Sequence, residues 1–456
     1  MLELLITSSQ SGGGKTIVTC AFLDALKKKG LRPCAFKCGP DYIDPMFHRS
    51  VLGLKSANLD LYLSDAGYLR AFYQEASYGQ DACVIEGVMG YYDGLMGTSA
   101  AASSYDVART LGVPALLVIP AKGSSLTLAA VIRGIADFRA DANIRGVILN
   151  QCSAGLFASM KETLSEASGI PILGYLPVME EAKIKSRHLG LYTASEISDL
   201  SARIGAVSDM LLETIDWDLL LQLYDRCLDR KPVVSGTETA KDAKKATAVI
   251  AVAKDEAFCF CYDETLSAFE KSGARIITFS PLHDAQIPKA DGLYLPGGYP
   301  ELHLEKLSRN ETMRESIHDA VVSGLPTIAE CGGFLYLSSY MCDDNMKLYE
   351  MCRVLPGVSV YTNRLIRFGY AQMTAKTDSM LFRSGETIPV HEFHYWDCDR
   401  NGNAMTMKKE NGKTWESGFV TDTLYAGFPH LYFAGHRNLE KRFVDCASKG
   451  GSRCIS

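Results

Sequence analysis

A chain of 456 residues, 47% hydrophobic and 22% charged, has the length for two or three globular domains that each bury a core of their own. Its net charge of −6 argues against adhesion to nucleic acid or to an acidic membrane surface. No run approaches the roughly 18 apolar residues of a membrane span, and Met1–Thr7 leads directly into a strand without a signal-peptide pattern. A cytoplasmic protein is therefore expected, with its fourteen cysteines as reduced thiols. Cys259 and Cys261 lack zinc-finger spacing and read as buried thiols of a strand.

Leu2–Thr7 is an apolar strand, followed by SSQSGGGKT at Ser8–Thr16 and by a helix from Ile17 to about Lys29. On that helix Val18, Phe22, Ala25 and Leu26 share one buried face. Strand, Gly-rich loop ending in Lys–Thr, then helix is the context that separates a phosphate-binding loop from a chance match. Ser9, Ser11, Gly12, Gly13 and Gly14 are the candidate ATP-binding positions, with N–H groups and a helix N-terminus to cradle phosphates. Lys15 would reach the terminal phosphate oxygens, and the Thr16 hydroxyl would bind magnesium. Ser8 stands where the common form has its first glycine, and the loop is similar to the longer variant of the dethiobiotin synthetase group.

The strand Pro33–Lys37 ends in CGPDYIDP, Cys38–Pro45, which sets Asp41, Tyr42 and Asp44 at a strand's carboxyl end, where open parallel sheets bind ligands. Asp beside Pro is equally ordinary turn chemistry. The short strand Ala82–Ile85 ends in Glu86, a candidate magnesium carboxylate, and GVMGYYDG follows with Asp93, a candidate substrate contact. Strands Ala115–Ile119, Gly146–Leu149 and Ile172–Tyr175 complete the set, and the Asn150 amide is placed to read an adenine edge. Strands alternating with helices at this spacing predict an α/β, doubly wound parallel sheet.

Helical sequence at Ala194–Leu221 ends this domain, and Lys231–Ala246, polar and without apolar periodicity, reads as a linker. A second α/β pattern then begins: strand Ala248–Val252, helix Tyr262–Ser272, strand Arg275–Phe279, strand Gly292–Leu295. The last runs into PGGYPELH, where Gly298 is a candidate oxyanion donor. Leu325–Ala329 is an apolar strand, Cys331-Gly332-Gly333 follows, and Phe334–Tyr340 reads as helix. A strand turning sharply into a helix exposes the turn residue as a nucleophile elbow, where a helix N-terminus favours a thiolate and the Gly332 N–H helps bind an oxyanion. A lone cysteine in a strand is more often structural; the flanking glycines and helix favour the nucleophile. For the base, His430 in GFPHLYF is the candidate, and His436 fits the same pattern.

KCGPDYIDP, VIEGVMGYYDG, VAKDEAFCF, PGGYPELH, AECGGFLYL and HLYF, in this order and spacing, closely resemble the cobyrinic acid a,c-diamide synthase family, CobB/CobQ-type glutamine amidotransferases of corrinoid biosynthesis. The resemblance runs from about Leu2 to Phe443. It implies an ATP-dependent synthetase domain of the dethiobiotin synthetase type at 1–230, a linker at 231–246, a class I glutaminase-like domain at 247–447 and a tail at 448–456. It implies Cys331 as nucleophile and His430 as its activating base, ATP on Ser8–Thr16, and Mg2+ near Thr16, Asp41 and Glu86. The partners it implies are small molecules, namely a tetrapyrrole polycarboxylate, L-glutamine and ATP, with no nucleic acid or membrane, and it allows a homodimer. Leu431 and Tyr432 follow His430, so the family's lack of a third, acidic triad member holds here, and the group orienting His430 is not legible. The same chemistry on nickel-sirohydrochlorin or hydrogenobyrinic acid is the nearest alternative, and a non-catalytic P-loop regulatory protein is the alternative from another class. Because free ammonia is mostly ammonium at neutral pH, an internal route between the two sites is expected.

Overall fold

The computed structural model describes residues 1–183, 186–187, 190–191, 199–226, 246–436 and 438–450. The linker expected at 231–246 lies outside them except for its last residue, as do 194–198 of the expected helix and 451–456 of the tail. The chain forms two compact units, Met1–Gly236 and Thr237–Ser456.

In the first unit the order is β1 (Leu2–Ser8), α1 (Lys15–Lys28), β2 (Pro33–Cys38), α2 (Ile43–Ser50), β3 (Ser56–Leu59), α3 (Ala66–Ala76), β4 (Ala82–Glu86), α4 (Ser104–Leu111), β5 (Ala115–Pro120), α5 (Thr127–Asp137), β6 (Ile144–Asn150), α6 (Ala154–Ser168) and β7 (Ile172–Leu176). A two-residue ribbon, β8 (Ser186–Arg187) with β9 (Gly190–Leu191), and helices α7 (Leu200–Thr214) and α8 (Trp217–Tyr224) close it. Strands β1 to β7 form one parallel sheet in the order β3-β2-β4-β1-β5-β6-β7. They read as near-continuous apolar runs because helices cover both faces of such a sheet. Helix starts are fixed by side chains: Asp65 accepts the Tyr68 N–H, Ser103 that of Asp106, and Ser153 that of Leu156. The expected helix at Ala194–Leu221 is two helices in the described residues, broken where Ile215 takes an extended conformation and bridges Gly174. Strand β3, which the sequence reading did not anticipate, is only four residues long.

In the second unit the order is β10 (Ala248–Ala253), α9 (Asp263–Lys271), β11 (Ala274–Phe279), β12 (Gly292–Leu295), α10 (Leu304–Arg309), α11 (Glu311–Val322), β13 (Thr327–Glu330), α12 (Gly332–Leu337), β14 (Tyr340–Cys342), β15 (Leu348–Glu350), β16 (Val358–Ala375), β17 (Thr387–Cys398), β18 (Met405–Lys408), β19 (Thr414–Ser417), β20 (Phe419–Val420), β21 (Leu424–Gly427) and α13 (Leu439–Ser448). A main sheet runs β11-β10-β12-β13-β21-β20, parallel but for its last pair. Alternate residues feed two cores: Leu295, Ala329 and Ala426 into one, Tyr294, Ile328 and Tyr425 into the other. A second sheet, β15-β14-β16-β18-β19 with β17 against β16, was not anticipated from sequence. The helix expected at Phe334–Tyr340 is likewise shorter, because Ser338 turns extended and Tyr340 enters β14.

Candidate active sites

In the second unit, neighbouring strands β12, β13 and β21 deliver their carboxyl-end loops to one place: Gly297–Gly298, Cys331 and His430. Cys331 lies between β13 and α12 with φ +46° and ψ −103°, a conformation that costs a non-glycine residue about 1–3 kcal/mol. It is held there by backbone bonds, its N–H donating to Gly427 O at 2.8 Å and its carbonyl accepting the Leu335 N–H at 2.9 Å. Strain kept in place by surrounding structure is the mark of an elbow, though Cys331 is buried at 6% exposure rather than exposed as expected. The glycines after it are required by close approach. A Cβ on Gly333 would lie 2.1 Å from Leu295 O, and one on Gly332 would lie 3.0 Å from the Gly298 nitrogen. Gly298 and Gly332, the two expected oxyanion donors, are thus brought side by side. A Cβ on Gly297 would meet His430 Cε1 at 2.6 Å and Cys331 Cβ at 3.5 Å, so that glycine floors the Cys331–His430 pair.

His430 is buried, and it lies with Cys331 against Gly297. Its backbone exchanges bonds with His391 of β17 in an isolated antiparallel bridge, which anchors the loop carrying it. Burial works against a charged ring, but Cys331 and then Glu330 outweigh it and raise the His430 pKa to about 10. His436, the other histidine that fitted the pattern, follows a 3-10 turn (Phe433–Gly435), and burial lowers its pKa. Glu330, which the sequence reading passed over, sits beside the His430 ring with Oε2 3.7 Å from Nδ1. The available signal was a lone acid closing an apolar strand next to Cys331.

In the first unit β2, β4 and β1 are neighbours, and their register sets Lys37 beside Glu86 and Glu86 beside Ile6. The loop after β1 wraps into α1 through Gly12 (φ +73°) and Gly14 (φ +90°). The α1 N-terminus has no side-chain cap and no acid in its first turn, which fits a phosphate group there. Ser8 is compatible with the loop because Gly13 lies directly over it: a Cβ on Gly13 would fall 2.0 Å from Ser8 Oγ. The Asn150 amide donates to Gly13 O at 3.1 Å, and its Oδ1 accepts the Gln151 N–H at 2.9 Å, so it braces the loop. Ser9, Ser11 and Gly12 line the exposed rim of the same loop. Lys15 Nζ donates to Gln10 O at 3.0 Å and to Met89 O at 2.6 Å. Burial, then the nearby Lys37, lowers its pKa to about 8.

The Thr16 hydroxyl donates to Glu86 Oε1 at 2.6 Å, so two of the three expected magnesium ligands meet. Asp41 is used by the backbone, its Oδ1 accepting the Ile43 and Asp44 N–H groups at 2.8 and 3.1 Å. Asp44, expected at the substrate, is instead buried with Oδ2 2.5 Å from Lys37 Nζ, since α2 tucks it inward. Lys37 also reaches Glu86 Oε1 at 3.1 Å, and His48 bridges Glu86 Oε2 (3.2 Å) and Ser56 Oγ (2.9 Å). Against the cost of burial, Lys37 and His48 hold the Glu86 carboxyl well below the usual range. Burial, with Asp41 and Glu86 beside it, pushes Asp44 well up. Lys37 and His48 were not singled out from sequence, because a lysine before a turn and a histidine in a short helix look like surface residues. Tyr42 and Asp93 stay at least partly open to solvent, Asp93 also accepting the Gly90 N–H at 2.9 Å. Among the described residues no group of three or more His, Cys, Asp or Glu is placed to hold a metal. The donors present, a hydroxyl and carboxylates, are the hard oxygens magnesium takes in small number when phosphates supply the rest. No helix of the described residues is long and apolar enough to cross a membrane.

Residues 4–191 match the CobQ/CobB/MinD/ParA nucleotide binding domain, and residues 249–438 match the CobB/CobQ-like glutamine amidotransferase domain. Proteins named cobyrinate a,c-diamide synthase are similar along their length. That of Picrophilus torridus is 38% identical over 97% of this chain and 98% of its own. That of Caldanaerobacter subterraneus is 37% identical over 98% of each, and that of Clostridium tetani 36% identical over 98% of this chain and 100% of its own. The Cys331 elbow on one sheet and the Gly-rich loop on the other stand inside these two matches, and the chain belongs to the cobyrinate a,c-diamide synthase family.

Proposed function

We propose that the protein amidates the a and c acetate carboxylates of cobyrinic acid, using ATP and the amide nitrogen of glutamine. The observation that carries this reading is the Cys331–His430 pair beneath Gly298 and Gly332, on the same chain as a phosphate-binding loop. We place the synthetase at 1–230, the linker at 231–246 and the glutaminase at 247–447, working on small-molecule substrates in the cytoplasm.

In the glutaminase, Cys331 Sγ attacks the glutamine side-chain carbonyl carbon while the Gly298 and Gly332 N–H groups bind the oxyanion. His430 gives its proton to the departing nitrogen, the C–N bond breaks, and ammonia leaves a thioester on Cys331. His430 then takes a proton from water, which releases glutamate and the free cysteine.

In the synthetase, Ser9–Thr16 orient the ATP phosphates, and Asn150 keeps the loop in shape. An acceptor carboxylate oxygen attacks the γ-phosphorus of ATP, ADP leaves, and ammonia then displaces phosphate from the acyl phosphate to give the amide. Lys15 turns from its two carbonyls to the transferred phosphoryl oxygens. Thr16, Asp41 and Glu86 would hold Mg2+, which offsets phosphate charge when bound. Tyr42 and Asp93 are the proposed acceptor contacts, and Asp44 acts through Lys37, which it holds in place beside the ionised Glu86.

The test is product mass after incubation with glutamine, ATP and cobyrinic acid, or with nickel-sirohydrochlorin in parallel. Two successive amidations of cobyrinic acid are expected. Amidation of the nickel compound alone would transfer the same chemistry to that acceptor, and no amide on either would overturn the tetrapyrrole reading.

A further inference from the structure

The positions after His430 hold no acid because the fold uses them for packing. Leu431 is fully buried, and Tyr432 stands edge-on against Tyr262 at 5.3 Å between ring centroids. An acid reaches the histidine from the nucleophile's own strand instead. Glu330 closes β13, and its register partner on β21 is Gly427, three residues before His430. The carboxylate is 1% exposed. Its Oε1 accepts the Leu431 N–H at 3.3 Å; its Oε2 accepts the Tyr294 hydroxyl at 3.2 Å and faces His430 Nδ1 at 3.7 Å. One side chain therefore grips both the peptide that follows His430 and the ring itself.

We infer that Glu330 is the positioning residue of the glutaminase, doing from the position before the nucleophile what the third member of a Cys–His–acid triad does from after the histidine. By occupying the Nδ1 side it leaves Nε2 to Cys331, and it stabilises the imidazolium formed when the thiol proton moves to the ring. It touches neither glutamine nor the thioester and acts through His430. A separation of 3.7 Å is ion-pair reach, and such contacts commonly tighten once substrate is bound. A buried carboxylate with no charged partner would be costly, which gives Glu330 a physical reason to keep His430 charged. The groups facing the ring are Cys331 from the elbow, Glu330 from β13 and His391 from β17. Tyr294 of β12 and Tyr425 of β21 stand against Glu330, and His394 and Lys409 act on His391. Burial raises the Glu330 carboxyl, while His430, the Leu431 N–H and Tyr294 pull it back.

This inference rests on the glutaminase reading, and Glu330→Gln in the full chain tests it, with Glu330→Asp as the charge-keeping variant. Glutamate release gives kcat and KM, and iodoacetamide labelling of the Cys331 peptide, followed by mass spectrometry across pH, reports the thiolate. For Glu330→Gln, kcat falls by about 10²-fold with KM for glutamine little changed. The labelling profile moves to higher pH by about one unit. Glu330→Asp recovers part of both effects, and amidation from added ammonia stays at the wild-type level. A wild-type labelling profile in Glu330→Gln overturns the inference, as does a fall in kcat that Glu330→Asp does not relieve. Were wild type to release no glutamate, the glutaminase reading would fail, yet the labelling profile would still decide whether Glu330 governs the Cys331–His430 pair. Should Glu330→Gln not fold, the same two readouts on Glu330→Asp decide, an unshifted profile with wild-type kcat overturning the inference.

Discussion

A methyl group added at Gly297 should disable the glutaminase and spare the synthetase. Gly297 has no positive φ, so alanine is admissible to the backbone, and the consequence lies in space. Its Cβ would come 2.6 Å from His430 Cε1, whereas ordinary contact begins at 3.4 Å, an overlap of about 0.8 Å. The other neighbours, Phe260 Cβ at 3.4 Å and Cys331 Cβ at 3.5 Å, are already at contact distance, so the whole overlap falls on the imidazole. That ring is 2% exposed and tied through its backbone to His391, so it shifts rather than swings clear. Overpacking of this kind costs about 1–3 kcal/mol of stability. A displacement near 1 Å at a reacting group costs about 10²-fold in rate. Glutamate release by Gly297→Ala should fall by that factor, while amidation from added ammonia remains. Glutaminase activity close to wild type in the folded variant would refute the placement of His430 against Gly297.

Lys37→Met leaves Glu86 and Asp44 buried without their cation. It should cost about 3–5 kcal/mol in urea denaturation and abolish amidation even from ammonia, and an unchanged midpoint would contradict the buried cluster. Asn150→Ala removes the brace on Gly13 and should weaken ATP binding about fivefold, a loss near 1 kcal/mol, with glutaminase unaffected; calorimetric titration with ATP reads it. His430 has its pKa raised from 6.5 to about 10, so its stabilisation is complete below pH 6.5 and is lost as pH rises through about 10. Urea midpoints of wild type should therefore converge on those of His430→Asn over that range, and parallel profiles would contradict the charged ring.

What the sequence disclosed was chemistry carried by neighbours in the chain. SSQSGGGKT and AECGGF announce a strand–loop–helix and an elbow because each needs glycines at fixed offsets, and the structure shows the clash that a side chain would meet at Gly13 and Gly333. The parallel sheets were equally legible from apolar runs such as Ala115–Ile119. Residues that act across the fold were not. Lys37, His48 and Glu86 converge only because β2 and β4 pair in that register, and Glu330 meets His430 only because β13 lies beside β21. Asp44 was placed at the substrate from its loop, and α2 turns it inward onto Lys37. The mixed sheet around β16 was missed because the strand's burial is irregular up to its two register shifts and alternates regularly only after them, over Tyr370–Ala375.

The two-site account is tested most directly by amide formation in wild type and Cys331→Ala, each supplied with ATP, cobyrinic acid and either glutamine or ammonia. The account predicts that wild type uses both nitrogen sources and that Cys331→Ala uses ammonia alone. Glutamine-supported amidation by Cys331→Ala, or its failure with ammonia as well in a folded protein, would contradict it.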